Sequence, residues 1–282
     1  MFILLMRYIF KPLFAVVALL FSSLCFAENI NEELPLWELG VGVGGSSLPQ
    51  YMGSDERYAI PFAFPYIVYR GENWRVDTAG VKNRIVDTKT YTIDLSLSGG
   101  LPVRNDNKAR ENMPELQLTG EIGAKLNWYI SESEDESWIV RLPVRAVVDI
   151  EGKYAGVVAD PVLTRRNYYH VEHGLLKTYI DVGFQYNSSL YHETYYGVDA
   201  QYATPNRAAY QAKAGLHSVF AKMWIKYPWN KKTELFATLQ ARSLAAGVVS
   251  DSPLVRDKTY ATLTLGAIWL FSTSDEMVRI RE

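Results

Sequence analysis

ELQLTGEIGAKLNWYI, residues Glu115–Ile130, alternates polar and apolar side chains from end to end. Leu116, Leu118, Ile122, Ala124, Leu126, Trp128 and Ile130 share one parity, and Glu115, Gln117, Thr119, Glu121, Lys125 and Asn127 share the other. A period of two is what a pleated strand gives when its faces meet different solvents; a helix would spread these residues around its circumference. The stretch is sixteen residues long, beyond the ~5–6 of an ordinary globular strand. Strands of about 9–11 residues with a lipid face and a lumen face build transmembrane barrels. Alternation alone does not say which face is inside, since a soluble sandwich or lipocalin-like barrel turns its apolar face inward. Export signal, strand count, aromatic placement and the last strand decide that question.

The first residues carry Arg7 and Lys11 ahead of an apolar run from Leu13 to Leu24, ending in Ala27. This reads as a secretory signal peptide, residues 1–27, cleaved after Ala27. Cys25 is the only cysteine. Leu24 stands before it where a lipoprotein signal wants a small residue, so the mature chain has neither disulfide nor thiolate metal site. Without residues 1–27, 27 basic residues face 31 acidic ones, a formal charge of −4, which gives no footing for nucleic-acid binding. No later stretch reaches the ~18 uninterrupted apolar residues of a helical span.

Copies of the alternating pattern fill residues 28–271, read as one barrel domain, with 272–282 as a periplasmic tail. Trp37 to Gly44 alternates, and a polar loop follows. Tyr58 to Arg70 is a strand in which Pro61 and Pro65 predict a bulge, because proline cannot donate to a ladder. Trp74 to Asp87 is read as two short strands. Strands at Thr90–Leu101, Glu115–Ile130, Trp138–Glu151, Tyr154–His170 and Lys177–Ser188 follow. Ser189–Asn206 reads as a Tyr-rich loop. Arg207 to Trp229 changes parity near His217-Ser218, predicting one long strand with a bulge there. Thr233–Leu244 and Thr259–Phe271 complete an all-β, antiparallel, up-and-down transmembrane barrel of about twelve strands. An even number returns both termini to the periplasm. Connections at 70–73, 131–137, 171–176 and 229–232 are then short and periplasmic, and those at 46–57, 102–114, 189–206 and 246–257 longer and extracellular. Trp37, Trp74, Trp128, Trp138, Trp229 and Trp269 all fall beside the periplasmic ends, where amphipathic rings favour the membrane interface. In the last strand, Gly266, Trp269 and Phe271 fit the C-terminal signal of outer-membrane barrels, although STSDEMVRIRE follows.

The loop motifs then become recognisable. Tyr51-x-Gly53-Ser54-Asp55, Pro65-Tyr66-x-x-Tyr69-Arg70-Gly71, Trp74-Arg75-Val76-Asp77, Tyr196-Gly197-Val198, Arg207-x-x-Tyr210 with Gly215, and Asp251-Ser252-Pro253 together resemble the MipA/OmpV family of outer-membrane proteins. The resemblance implies an outer-membrane barrel in lipid, whose named member is a scaffold linking a lytic murein transglycosylase to a murein synthase. Other members are adhesins or antibiotic-responsive, porin-like proteins. It transfers no catalytic role to any residue.

The chemistry points away from an enzyme. His170 and His173 would share a helix face but diverge in a strand or turn, so no metal site is expected, and no cofactor is implied. There is no Gly-x-Ser-x-Gly elbow. His192 and Asp199 lie in a loop, where polar side chains are ordinarily solvated. Glu38, Asp94, Glu121, Lys125, Arg141, Arg145, Asp149, Glu151, Asp181, Gln240 and Arg242 are expected to line the lumen. Their mixed signs favour pairing across strands and a plugged barrel; a ring of one sign would favour a selective channel. In the Tyr51–Asp55 motif, Gly53 permits positive φ and Asp55 can cap a turn; the other reading is a ligand or partner contact over the barrel mouth. The expected function is a non-enzymatic envelope scaffold. The alternatives are a small-solute pore, and an adhesin or rim-site enzyme.

Overall fold

A computed structural model describes residues 33–71, 74–77, 80–88, 90–103, 106–133 and 135–278, with side chains throughout except at 74–85 and 87. The expected signal peptide and the Trp74 ring lie outside what is described.

The strands are β1 (Trp37–Pro49), β2 (Arg57–Arg70), β3 (Trp74–Asp77), β4 (Gly80–Asp87), β5 (Tyr91–Gly100), β6 (Thr119–Glu132), β7 (Glu136–Asp149), β8 in two pieces (Tyr154–Ala159 and Val162–Val171), β9 (Gly174–Asn187), β10 (Gly215–Asn230), β11 (Thr233–Ser243) and β12 (Thr259–Thr273). Each pairs antiparallel with the next. The circuit closes where β12 meets β1, from Leu263↔Ser47 to Thr273↔Glu38. With the two pieces of β8 counted as one interrupted strand, the described residues form a barrel of twelve strands. No helix among the described residues is long and apolar enough to cross a membrane.

The two faces are reversed relative to a soluble protein. Val43, Leu97, Ile122, Val144, Val182, Leu239 and Leu265 point outward and are exposed, whereas Glu38, Arg70, Asp94, Asn127, Arg145 and Asp181 point inward and are buried. Such a wall is stable only against hydrocarbon, so the barrel spans a membrane. At the end carrying the short turns, Tyr69, Tyr91, Trp128, Tyr169, Trp229, Trp269 and Phe271 are all exposed, an aromatic belt at the interface. There two short segments that flank the barrel also meet: Leu34–Pro35 pairs with Met277–Val278, and β12 runs past Phe271 to Thr273.

Several boundaries differ from the sequence reading. The long alternating segment begins as a strand only at Thr119; Leu116 instead bridges Val103 and is buried among loop residues. β2 has no bulge against β1, despite its prolines. Gln50 N donates to Glu56 O and Arg70 N to Leu36 O, so even-numbered residues of β2 point their backbone groups at β1. Pro61 and Pro65 therefore face the other side, where β3 pairs only with Tyr69 and Arg70. Their missing N–H groups cost that ladder nothing. The β8 interruption at Asp160-Pro161 sends the first piece onto β7 and the second between β7 and β9. The strand expected from Arg207 starts at Gly215. The expected bulge is present: Gln185 pairs with Ser218 and Tyr186 with Leu216, leaving His217 extra. β7 ends at Asp149, so Glu151 is an exposed turn residue.

Candidate functional site: the loop cap and the filled lumen

The long connections do not hang free; they fold together over one mouth of the barrel. Tyr51, Val103, Met113, Leu116, Leu244, Val249 and Leu254 share one apolar cluster with Tyr191, Tyr195 and Tyr196 of helix α1 (Ser189–Tyr196). Ser188 caps that helix by accepting from Tyr191 N, the standard use of a serine hydroxyl at a helix start. Burying a side chain of this size stabilises by about 1.5–3 kcal/mol, so the cap is a folded unit with its own core.

Polar side chains stitch the loops together. Tyr51 Oη donates to Leu254 O at 2.7 Å. Gly53 has φ +97, and its carbonyl accepts from Arg256 N at 2.8 Å and Asp257 N at 3.0 Å. Ser54, rather than Asp55, caps the turn, accepting from Glu56 N; Asp55 is exposed. Asn107, fully buried, donates to Gln50 Oε1 at 2.8 Å and Ser54 Oγ at 3.2 Å. Arg110 donates to Tyr195 O and Pro114 O, and Arg207 to Tyr202 O, Ala109 O and Glu111 O. Tyr210 Oη donates to Val248 O. Ser252 Oγ donates to Tyr196 O at 2.7 Å, while its neighbour Asp251 is exposed and lies 3.7 Å from Lys258; Pro253 is half-buried. Tyr51, Gly53, Ser54, Arg207, Tyr210 and Ser252 thus meet in one cap. Pro65 and Tyr69 stand on the outer wall and Arg70 inside the opposite end.

Burial pushes the phenols of Tyr51, Tyr191 and Tyr196 above their ordinary range and lowers the Arg110 guanidinium. His192 is not solvated as a loop residue would be: it is fully buried, and Nδ1 lies 2.6 Å from Lys213 O. Burial lowers its pKa, opposed by that backbone bond. Asp199 is exposed, and so are His170 and His173. Between the 110–119 segment, the β7–β8 turn and α1 lies a cleft of about 330 Å³ bearing both signs of charge, including Arg110, Asp149, Lys153 and Glu193. Asp149 belongs here rather than to the lumen, its carboxylate accepting from Glu151 N and Lys153 N.

Below the cap the lumen is crossed by ion pairs. Arg145 joins Glu121 at 2.7 Å and also Asp160. Arg141 and Lys222 hold Asp181 at 2.5 and 2.9 Å, and Thr164 Oγ1 donates to the same carboxylate. Asn127 donates to Asp94 at 2.7 Å, and Lys125 stands 4.0 Å away from Asp94. Arg242 donates to Ser218 Oγ and Gln185 Oε1. At the turn end Arg70 pairs with Glu38 at 2.9 Å, Tyr66 Oη donates to Glu38 Oε2, and Lys226 reaches Tyr66 at 2.9 Å and Glu234 at 2.5 Å.

The sequence matches the family described as MltA-interacting protein MipA over residues 41–271. No curated protein matches it in sequence. Among solved structures it is similar to the NanC porin, at 9% identity and a TM-score of 0.36 over 82% of this chain and 98% of that one. It is similar to a bacterial polysaccharide outer membrane secretin at 8% identity and a TM-score of 0.38, over 83% and 99%. The outer membrane protease OmpT from Escherichia coli follows at 8% identity and a TM-score of 0.28, over 89% of this chain and 99% of that one. With a twelve-stranded wall and a family match that spans all its strands but the first residues of β1 and the last of β12, this chain is an outer-membrane β-barrel that belongs to the MipA family.

Proposed function

We propose that the protein is a non-enzymatic scaffold that holds a lytic murein transglycosylase beside a murein synthase through its short-turn rim. The partner class comes from the family description, which names an interaction with MltA. The observation that carries the reading is the filled barrel. A folded cap with its own apolar core covers one mouth, and Glu38, Arg70, Tyr66, Lys226 and Glu234 interlock near the other. An interior crossed by paired charges of both signs serves a rigid platform better than a solute path. The short-turn rim also carries the pairing of Leu34–Pro35 with Met277–Val278, and so offers a fixed surface on the side where murein lies.

In-cell crosslinking from exposed rim positions such as Glu172 and Lys231 is expected to trap a murein hydrolase or synthase, while the purified barrel gives negligible current in planar bilayers. Reproducible, salt-dependent current steps without such adducts would replace the scaffold by a small-solute pore.

A further inference from the structure

The barrel wall is paired all the way round only at its short-turn end. β3 and β4 are brief, and β3 meets β2 only at Tyr69 and Arg70, while β4 meets β5 only at Thr92, Ile93 and Asp94. Beyond that hairpin, towards the loop cap, two strand edges are left without ladder partners among the described residues. One is β2 from Ala59 to Ile67. The other is β5 from Leu95 to Gly99, whose odd-numbered residues point away from β6, because Thr90 O accepts from Tyr129 N and the direction alternates. Tyr58 Oη donates to Pro102 O at 3.1 Å and spans the two sides at the top. The outline is a window in the wall, bounded by the hairpin below and by the cap above.

Backbone groups left unpaired in hydrocarbon cost several kcal/mol each, and irregular wall at membrane depth persists where it lines a cavity. Pro61 and Pro65 both turn their nitrogen to the window, removing two donors from that edge. The same substitution blunts the edge against pairing with a strand from another chain.

The two lips differ in chemistry. Ile60, Phe62 and Phe64 of β2 point inward and remain half-exposed. Space for these rings is built in: a Cβ on Gly42 would lie 2.2 Å from the Phe64 ring and one on Gly44 2.9 Å from Phe62. The β5 lip carries Asp94 and Ser96 inward, with Arg145 within 3.4 Å of Ser96 Oγ. Phe64 meets Phe236 edge to face and packs against Tyr66, Val68 and Ile268, so an apolar lining runs inward from the opening, the reverse of what a water-filled pore needs.

We infer that this window admits the acyl chain of a lipid from the surrounding bilayer, which lies against Phe62 and Phe64 with its polar end towards the β5 lip. Continuity with the lipid-facing wall names the source, and the aromatic lip names the part of the molecule that enters. The inference is independent of the scaffold reading, because it concerns the side of the barrel rather than its rim.

The test uses the intact barrel in nanodiscs containing a phospholipid with a photoactivatable acyl chain, followed by mapping of adducts by mass spectrometry. Adducts are expected on inward Ile60, Phe62 and Phe64 as well as on outward Val41 and Val43. Phe62→Asp is expected to lower the inward yield about ten-fold, since a charge is costly to bring against hydrocarbon, with the outward yield unchanged. Adducts confined to outward residues of the wild-type barrel overturn the proposal, whether or not the variant folds. So does an inward yield that Phe62→Asp, still heat-modifiable on gels, leaves unchanged.

Discussion

Tyr196 Oη lies 2.8 Å from His217 Nε2 and 2.8 Å from Met52 O, tying the helix of the loop cap to a bulged residue of the barrel wall and to the first long loop. The proton order along this line follows from its far end. Arg242 can only donate to Ser218 Oγ, so the serine hydroxyl is free to donate to His217 Nδ1, 2.9 Å away. His217 Nε2–H then donates to Tyr196, whose own proton goes to Met52 O. Every member is satisfied with a neutral imidazole, and the β10 bulge is what aims His217 inward at the cap.

Tyr196→Phe removes the one hydroxyl serving both partners. Leaving two buried groups unpaired should cost about 1–3 kcal/mol. Tyr210→Phe, which loses a single bond to Val248 O at an exposed site, should cost about 0.5–1 kcal/mol. Urea unfolding of the detergent-folded barrel, followed by loss of heat-modifiable mobility, measures both. Equal losses would mean that the line from Arg242 to Met52 contributes nothing beyond an ordinary hydrogen bond.

His192 should make the cap sensitive to mild acid. Its folded pKa is depressed by burial, so the unfolded cap takes up a proton more readily than the folded one. The stability it contributes is therefore complete above the unfolded value of about 6.5 and is lost as pH falls below that value towards the lowered folded one. His192→Asn keeps a donor for Lys213 O without a titratable ring. Hydrogen exchange in 189–196 should rise between pH 7.5 and 5 in the wild type and stay flatter in the variant. Parallel curves would remove His192 as the cause.

Arg207 donates to three carbonyls on two segments, at Tyr202, Ala109 and Glu111. Lysine presents a single ammonium in place of the planar fork and cannot reproduce that reach. Both Arg207→Ala and Arg207→Lys should open the 102–114 loop to protease by roughly ten-fold or more, corresponding to about 1.5–3 kcal/mol. A lysine variant as resistant as wild type would show that charge, rather than fork geometry, holds the loops.

The wall was legible because lipid and lumen impose one rule on every strand: the parity that separates Ile122, Trp128 and Ile130 from Glu121, Lys125 and Asn127 also separates exposed from buried. The parity change near His217 located its bulge for the same reason. The cap was not legible. Its core comes from apolar residues scattered through loops, such as Val103, Met113 and Val249, with no period to betray them. Asn107 and Arg110 sit in a segment that reads only as polar, and their partners lie about fifty to eighty-five residues away in sequence. Local sequence also misjudged Pro61 and Pro65, because whether a strand edge is open depends on how long the neighbouring hairpin is. Apolar residues in a long polar connection, Leu116 beside Val103 above all, were the available sign that the loops fold.

Asp181 is the most demanding of the lumen charges. It is almost wholly buried and offsets two cations, Arg141 and Lys222, while accepting from Thr164. Breaking a buried pair by deleting one partner is far costlier than deleting the whole pair, because the remaining charge stays desolvated; about 3–5 kcal/mol is typical. Asp181→Asn should therefore lower the urea midpoint sharply. Adding Lys222→Met to it removes one stranded cation and should recover a sizeable part of the loss, although Lys222→Met alone is expected to destabilise. That non-additivity is the signature of coupled charges. If the double variant were simply as unstable as the sum of its parts, Asp181 would be holding the strands through Thr164 and packing, and the ion pairs across the lumen would be solvated by water inside the barrel. The scaffold reading would then lose its main physical support, since a hydrated lumen is the first requirement of a pore.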